Sequence, residues 1–104
     1  MDTEGFLGFI APDAEFRFAA APAVHGHAAI RDAVDGFFSS IAALSHKLQR
    51  MVAEGNAVVC EGDVTYTRHD GSTITLPICN VFEVRHGLIS VYRIYIDVAP
   101  LYAA

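Results

Sequence analysis

Residues 57–97 decide the fold, and they read AVVCEGDVTYTRHDGSTITLPICNVFEVRHGLISVYRIYID. Val, Ile, Thr, Tyr and Phe dominate this stretch, as they do in strands, and turn residues divide it twice. The pattern predicts three strands, over 57–68, 72–84 and 88–98. Strands this long with such short connections must be antiparallel neighbours, because parallel strands need a long crossover. We therefore expect any chemistry on one face of this meander.

The composition fits a single domain over residues 1–104. The chain is 53% hydrophobic with a mean hydropathy of +0.35, which suggests an apolar pocket or a buried dimer face besides the core. A net charge of −5 argues against nucleic acid as a partner. The apolar runs are too short for a membrane span, and the acidic first residues do not fit an export signal. Because the chain has only two cysteines, we expect a reducing, cytoplasmic setting.

The remainder of the chain predicts two helices and two strands around a connector. A short helix is expected within residues 3–11, a strand over 14–19 and an irregular connector over 20–27. Apolar residues at helical spacing predict a long helix over 28–44, which would cover one face of the sheet. Alternating residues predict another strand over 45–54.

Turn chemistry predicts the register of the meander. Asp70-Gly71 favours a two-residue type I′ turn that pairs His69 with Ser72, whereas residues 85–87 favour a three-residue loop. A single bulge would invert the resulting faces. The face predicted to lie under the helix carries Glu61, Asp63, Thr65, Leu76, Ile78, Asn80, Phe82, Val84, Leu88, Tyr92, Ile94 and Ile96. The other face carries Cys60, Val64, Tyr66, Cys79, Val81, Ile89, Val91, Arg93, Tyr95 and Asp97.

Both predicted faces are substantially apolar, although a solvated sheet face should be polar. The helix can cover only one of them. We therefore expect the outer face to pack against the same face of a second copy, as in a homodimer.

Four stretches resemble the SnoaL-like branch of the NTF2-like superfamily: VHGHAAI (24–30), VAEGNAV (52–58), LPICNVFEVRHG (76–87) and VYRIYIDVAPL (91–101). The resemblance implies an α+β fold, a cone-shaped barrel whose strongly bent antiparallel sheet is covered by the long helix and a shortened N-terminal helix. It also implies a pocket between helix and sheet and a homodimer. Relatives in this superfamily include polyketide cyclases, limonene-epoxide hydrolases and ketosteroid isomerases.

The catalytic residues of the epoxide hydrolases are incompletely matched. Where the resemblance places a catalytic Asp on the last strand, this chain has Ile94. The Arg and Asp of the first meander strand correspond to Glu61 and Asp63, and the Tyr and Asn of the early strand correspond to Phe16 and Phe18. Epoxide opening needs one group to activate water and another to protonate the leaving oxygen, so this activity is not expected.

The ketosteroid isomerases are matched at one position. Asn80 falls near their donor Asp and could donate its amide to a carbonyl oxygen. Their base falls near Arg17 or Phe18, neither of which can serve. An isomerase- or cyclase-type enzyme would then use Asp63 as general acid/base with Asn80 or Tyr92 as carbonyl donor. The alternative is that Asp63 and Asn80 only form structural hydrogen bonds.

The first functional hypothesis is a dimeric protein that binds a small hydrophobic molecule without a cofactor. No metal site is expected, because His25 and His27 lack a third ligand at a fixed spacing. His46 is expected near the pocket mouth or on the surface. The residues expected to line the pocket are Phe16, Phe18, Phe37, Thr65, Leu76, Ile78, Ile94 and Ile96.

Overall fold

The computed structural model, which describes residues 1–103, contains helices on one side of a single curved sheet. The sheet has the strand order β2-β1-β6-β5-β4-β3; β1 pairs in parallel with β6, and the other neighbours are antiparallel. No helix of the described residues is long and apolar enough to cross a membrane. The elements are α1 (Thr3–Leu7), β1 (Ile10–Phe18), β2 (Val24–His25), α2 (His27–Ser39), β3 (Ala43–Glu54), β4 (Ala57–Thr67), β5 (Thr73–Arg85), β6 (Leu88–Tyr95) and α3 (Ala99–Tyr102).

The predicted α+β fold is confirmed, with three corrections. The sheet is mixed instead of purely antiparallel, because β1 lies parallel to β6. It is strongly curved but not closed into a barrel. Both predicted helices are too long, since α1 ends at Leu7 and α2 ends at Ser39.

Helix α2 packs on the sheet through residues at helical spacing, among which Ile30 and Val34 are buried. It ends early because two serines compete for its last carbonyls. Ser39 Oγ donates to the carbonyl of Gly36, and Ser40 Oγ donates to that of Phe37. The chain therefore enters β3 at Ala43, inside the segment predicted as helix.

The first hairpin differs from the predicted register by one residue. Arg68 N–H donates to the carbonyl of Ser72, so the loop contains three residues instead of two. Asp70 stabilises this loop, since its carboxylate accepts from both the backbone N–H and the hydroxyl of Ser72. Consequently Thr65 pairs with Thr75 instead of Leu76.

The second hairpin is shorter than predicted. His86 and Gly87 form a two-residue turn, both with positive φ (54° and 77°), as type I′ requires. A bulge at Ser90 then shifts the register, so Asn80 pairs with Ile94 instead of Tyr92. Beyond the bulge the shift spans two residues, so Tyr92 and Ile94 stay on their predicted face. Before the bulge it spans one residue, so Ile89 pairs with Val84 and the predicted faces of Leu88 and Ile89 are exchanged.

The one-residue shift in the first hairpin inverts β4, because side chains alternate with period 2. Cys60, Val64 and Tyr66 are buried on the concave face, under the helices. Glu61, Asp63 and Thr65 lie on the convex face, so their predicted place under the helix is wrong. Cys60 and Cys79 therefore point to opposite faces, which corrects the expectation that both lie outside.

The core consists of two clusters on the concave side. One cluster joins α1, β1 and α2 around Phe16 and Ile30. The other joins β4 and β5 to the C-terminal helix around Tyr66 and Leu101. Arg68 holds α3 in place by donating to the carbonyls of Pro100 and Leu101.

Candidate ligand-binding site

A cavity of about 310 Å³ lies between α2 and the concave face of the sheet. Its lining comes from α1, α2 and all the long strands, and nearly all of it is aromatic or aliphatic. The lining residues are Phe6, Phe16, Phe18, Ala21, Ala33, Val34, Phe37, Phe38, Leu44, His46, Tyr66, Ile78, Tyr92 and Ile94.

Contacting aromatic rings fix the walls of the cavity. Phe37 of α2 lies against Phe18 of β1, with ring centroids 4.6 Å apart, and meets Tyr66 of β4 edge-on at 5.5 Å. On the opposite side Tyr92 meets Phe16 edge-on, at 5.6 Å. Such pairs stabilise a fixed ring arrangement beyond simple area burial. The cavity is therefore a preformed apolar space.

The polar lining residues are His46, Tyr66 and Tyr92. Burial raises the pKa of Tyr92 to about 12, with a smaller effect from Cys60. Burial also raises the pKa of Tyr66 to about 12, and the neighbouring Tyr102 and Tyr92 add to this shift. Both phenols therefore stay protonated at neutral pH and can donate a hydrogen bond to a ligand oxygen.

His46 lines the cavity from the edge strand β3, where the residue is exposed to solvent. Loss of hydration lowers the pKa of its imidazole below the ordinary value of 6.5. The neutral ring therefore dominates at pH 7, with one nitrogen able to accept a proton. His46 therefore lies at the mouth of the cavity, on the surface of the protein, which agrees with the places expected for it from the sequence.

Asn80 is the buried polar residue next to this cavity. It is 6% exposed and lies on the concave face between Ile78, its neighbour along β5, and Ile94, its partner on β6. No described residue donates a hydrogen bond to its Oδ1 atom. A buried carbonyl oxygen without a donor costs about 1–3 kcal/mol.

We expect Asn80→Leu to raise the free energy of unfolding of the ligand-free protein by about 1 kcal/mol. The leucine has a similar size and removes the buried polar atom without leaving a void. Chemical denaturation measures the effect, and Asn80→Ala serves as control because it removes the amide but creates a cavity. A clear loss of stability in Asn80→Leu would show that the amide is satisfied in solution.

Most residues expected in the pocket lie at the cavity. Phe16, Phe18, Phe37, Ile78 and Ile94 line it. Their role in binding stays a prediction.

Three of the expected pocket residues lie elsewhere. Leu76 is buried in the core next to Val64, and Ile96 lines a second, more open space of about 440 Å³ beside α3. Thr65 lies on the convex face, where its hydroxyl is bonded to that of Thr75 at 2.8 Å. The place of Thr65 follows from the one-residue shift in the register of β4.

Asp63 does not line the cavity. The expectation that its carboxylate acts there as general acid/base is therefore wrong. It lies on the convex face, where Gln49 Nε2 donates to its Oδ2 at 2.9 Å. Its partners in the sheet are Lys47 and Pro77. Of the three candidate catalytic residues, Asn80 and Tyr92 remain on the concave face.

The sequence analysis missed Tyr66 and did not decide the place of His46. Leu44 and His46 are two residues apart in a strand, so both point to the same face, and Tyr66 pairs with Leu44. The alternation of Leu44, His46 and Leu48 was the available signal, but the predicted helix extended over its first member.

Comparisons with known proteins agree on the fold. A family model described as SnoaL-like domain matches residues 1–92. No curated protein matches the chain. Among solved structures, an NTF2-like protein of unknown function from Burkholderia pseudomallei is 20% identical with a TM-score of 0.86, covering 96% of this chain and 82% of that one.

Two further structures are similar. TerC, co-crystallised with polyporic acid, is 21% identical with a TM-score of 0.84, covering 97% of this chain and 83% of that one. A putative SnoaL-like polyketide cyclase from Jannaschia is 18% identical with a TM-score of 0.77, covering 95% of this chain and 74% of that one. At these identities the likeness concerns the fold.

Proposed function

Because the chain belongs to the SnoaL-like domain family, we propose that it binds a small, mainly apolar molecule carrying a hydrogen-bonding oxygen. The family includes cyclases, isomerases and epoxide hydrolases. The observation that carries the proposal is the aromatic cavity between α2 and the sheet, with the phenols of Tyr66 and Tyr92 in its wall. Its volume of about 310 Å³ falls at the lower end of the range for ligand pockets, about 300–1,000 Å³.

The lining also limits the charge of the ligand. No described lining residue carries a fixed charge at neutral pH, because the side chains are apolar apart from two phenols and a neutral imidazole. A charged ligand would lose hydration without gaining an ion pair. We therefore expect neutral ring compounds with a ketone or hydroxyl group.

Fluorescence titration with 2-naphthol tests the proposal, with naphthalene as the matched compound that lacks the oxygen. We expect saturable binding of both at one site per chain, with 2-naphthol tighter by about fivefold, the value of one hydrogen bond. Polyporic acid is a further probe, because TerC was co-crystallised with it. Absence of saturable binding by all three compounds would refute the proposal.

The enzymatic alternative remains a proposal, with two of its three candidate residues. Asn80 and Tyr92 support it as carbonyl donors from the concave face. Asp63 does not support it, since that side chain faces away from the cavity. An acid/base group must then come from another residue.

We further propose a homodimer formed through the convex face of the sheet. Partly exposed apolar residues gather there on β4, β5 and β6, at Val59, Val81 and Val91, and Tyr95 is 50% exposed. Beside this patch Arg93 Nε donates to Glu15 Oε2 at 2.8 Å, which pairs the charges at its border. In a two-fold dimer the same surface of each copy faces the other, so the apolar patch of one copy would cover that of its partner.

Val81→Asp is expected to weaken dimerisation about 100-fold, because two-fold symmetry brings two carboxylates together in an apolar interface. Sedimentation velocity across a concentration series measures the change. Thr75→Asp is the matched control, since it adds the same charge to the same face and strand outside the patch. If wild type is a monomer at micromolar concentration, or if both variants dimerise equally, this surface is not the interface.

We also propose a cytoplasmic location, and the two cysteines support it. Cys60 and Cys79 are free thiols and point to opposite faces of neighbouring strands. Their arrangement suits a reducing compartment.

A further inference from the structure

We propose that the more open space beside α3 is a second compartment of the ligand site, and that it takes an alkylammonium tail whose neutral ring lies in the first cavity. This inference rests on the proposed function, since the ring must occupy the cavity between α2 and the sheet. It adds a second feature to the ligand class, a cationic amine at a distance from the ring. The side chain that would recognise the amine is the carboxylate of Asp97.

The two spaces adjoin each other. Phe18, Ala21 and Phe37 line both of them. The rings of Phe18 and Phe37 lie against each other, with centroids 4.6 Å apart, and separate the spaces. Ala21, the third shared residue, is exposed and has only a methyl side chain. A thin alkyl chain can therefore pass between the spaces beside Ala21, whereas the aromatic pair keeps a ring system in the first cavity.

The second space differs from the first in having a carboxylate in its wall. Asp97 follows the end of β6 and lines this space together with α3 and the chain that follows β1. The other side chains there are apolar apart from the hydroxyl of Tyr102, which is hydrogen-bonded to Ser40 Oγ at 2.8 Å. Asp97 is therefore the one carboxylate among the described lining residues of the two spaces.

One oxygen of this carboxylate is available to a ligand. Asp97 Oδ1 accepts the backbone N–H of Ala99 at 3.0 Å, whereas Oδ2 accepts no hydrogen bond from a described residue. No nitrogen of a described Lys, Arg or His lies within 4.0 Å of either oxygen. Arg17 reaches the rim nearby, but its Nε donates to the carbonyl of Ala21 at 3.2 Å. The charge of Asp97 thus has no ion-pair partner among the described residues, and the net charge of −5 adds to the attraction of a cation.

The exposure of Asp97 suits a charged amine. An ammonium group that lost all its water would cost more free energy than a single carboxylate returns. In the open space the amine keeps part of its hydration beside Asp97, and only the uncharged ring enters the apolar cavity. Because exposed ion pairs are weak, the expected preference for the amine is about threefold.

Fluorescence titration with 2-naphthyl ethers whose alkyl tail ends in a primary amine tests the inference. The uncharged 2-naphthyl alkyl ether of the same tail length is the matched compound. We expect wild type to bind the amine about threefold tighter once the tail is long enough to reach Asp97, and to show no preference at the shortest tail. Equal affinity for the two ethers at every tail length would overturn the inference.

Asp97→Asn should abolish the preference for the amine. The asparagine removes the charge, while its amide oxygen still accepts the N–H of Ala99, so the start of α3 is kept. Asp32→Asn is the matched control, because it removes the same charge from an exposed position of α2 that lines neither space, and it should keep the preference. A preference that survives in Asp97→Asn, or that is lost equally in both variants, would overturn the inference.

Binding of 2-naphthol separates this inference from the proposed function. If 2-naphthol binds but the amine gives no preference, the second compartment is refuted and the proposed function stands; if none of these compounds binds, the proposed function itself fails. NOE measurements on wild type with the amine give a readout free of any variant. We expect cross-peaks from the tail to the ring of Tyr102 and the methyl group of Ala20, which line the second space. A tail that gives cross-peaks only to residues outside this space would overturn the inference.

Discussion

Tryptophan in place of Ala33 should weaken the binding of 2-naphthol about 70-fold. Ala33 lies on α2 at the rim of the cavity and is exposed to solvent, so a larger side chain there can cover the opening. An indole there would remove on the order of 100 Å² of apolar contact from the ligand, or about 2.5 kcal/mol at 25 cal/mol per Å². Fluorescence titration measures the affinity, and thermal unfolding shows whether the variant is folded.

Ala28→Trp is the matched control for this experiment. Ala28 is an exposed alanine of the same helix that does not line the cavity. Its replacement adds the same aromatic surface, so any non-specific binding of 2-naphthol to tryptophan appears in both variants. Equal affinities of the two variants would mean that the ligand binds outside the cavity.

Gly62→Ala should destabilise the protein by about 2–3 kcal/mol. A Cβ atom at Gly62 would collide with the carbonyl oxygen of Lys47 and lie 2.9 Å from Cα of Leu48, both on the backbone of β3. Strand β3 carries a bulge at this point and cannot move away without breaking its pairing with β4. Because His46 precedes this bulge, the same change should disturb the cavity.

Gly36→Ala provides the opposite result with the same chemical change. Gly36 lies inside α2, and a Cβ atom there meets no atom within 4 Å. Alanine is the better helix residue by about 1 kcal/mol, so this variant should be more stable than wild type. Chemical denaturation compares the two; destabilisation of similar size in both would contradict the close approach of β3 to Gly62.

Much of the fold could be predicted from the sequence, because it depends on patterns that many residues share. The meander, the helix over its concave face and the SnoaL-like resemblance rest on long alternating or helical stretches. Placement of Phe16, Phe18 and Phe37 at the cavity follows from the same patterns, since each occupies the inward position of a well-marked element. Errors of one or two residues at the ends of the predicted elements do not change the positions of these three phenylalanines.

The site depended on single contacts that no pattern reveals. The bonds from Ser72 to the carboxylate of Asp70 stabilise a three-residue loop, and that one extra residue turns Asp63 outward and Tyr66 inward. Likewise, the hydroxyls of Ser39 and Ser40 end α2 before the segment that carries His46. The residues proposed for chemistry changed with these local hydrogen bonds, while the apolar lining did not.

The central claim is that the ligand lies in the cavity between α2 and the sheet. Isotope-filtered NOE measurements on the complex with 2-naphthol test it most directly. We predict cross-peaks from the ligand to the ring of Phe37 and the methyl groups of Ile94, which line the cavity, and none to Val81 and Val91 on the convex face. Cross-peaks to Val81 and Val91 without any to Phe37 or Ile94 would contradict the account.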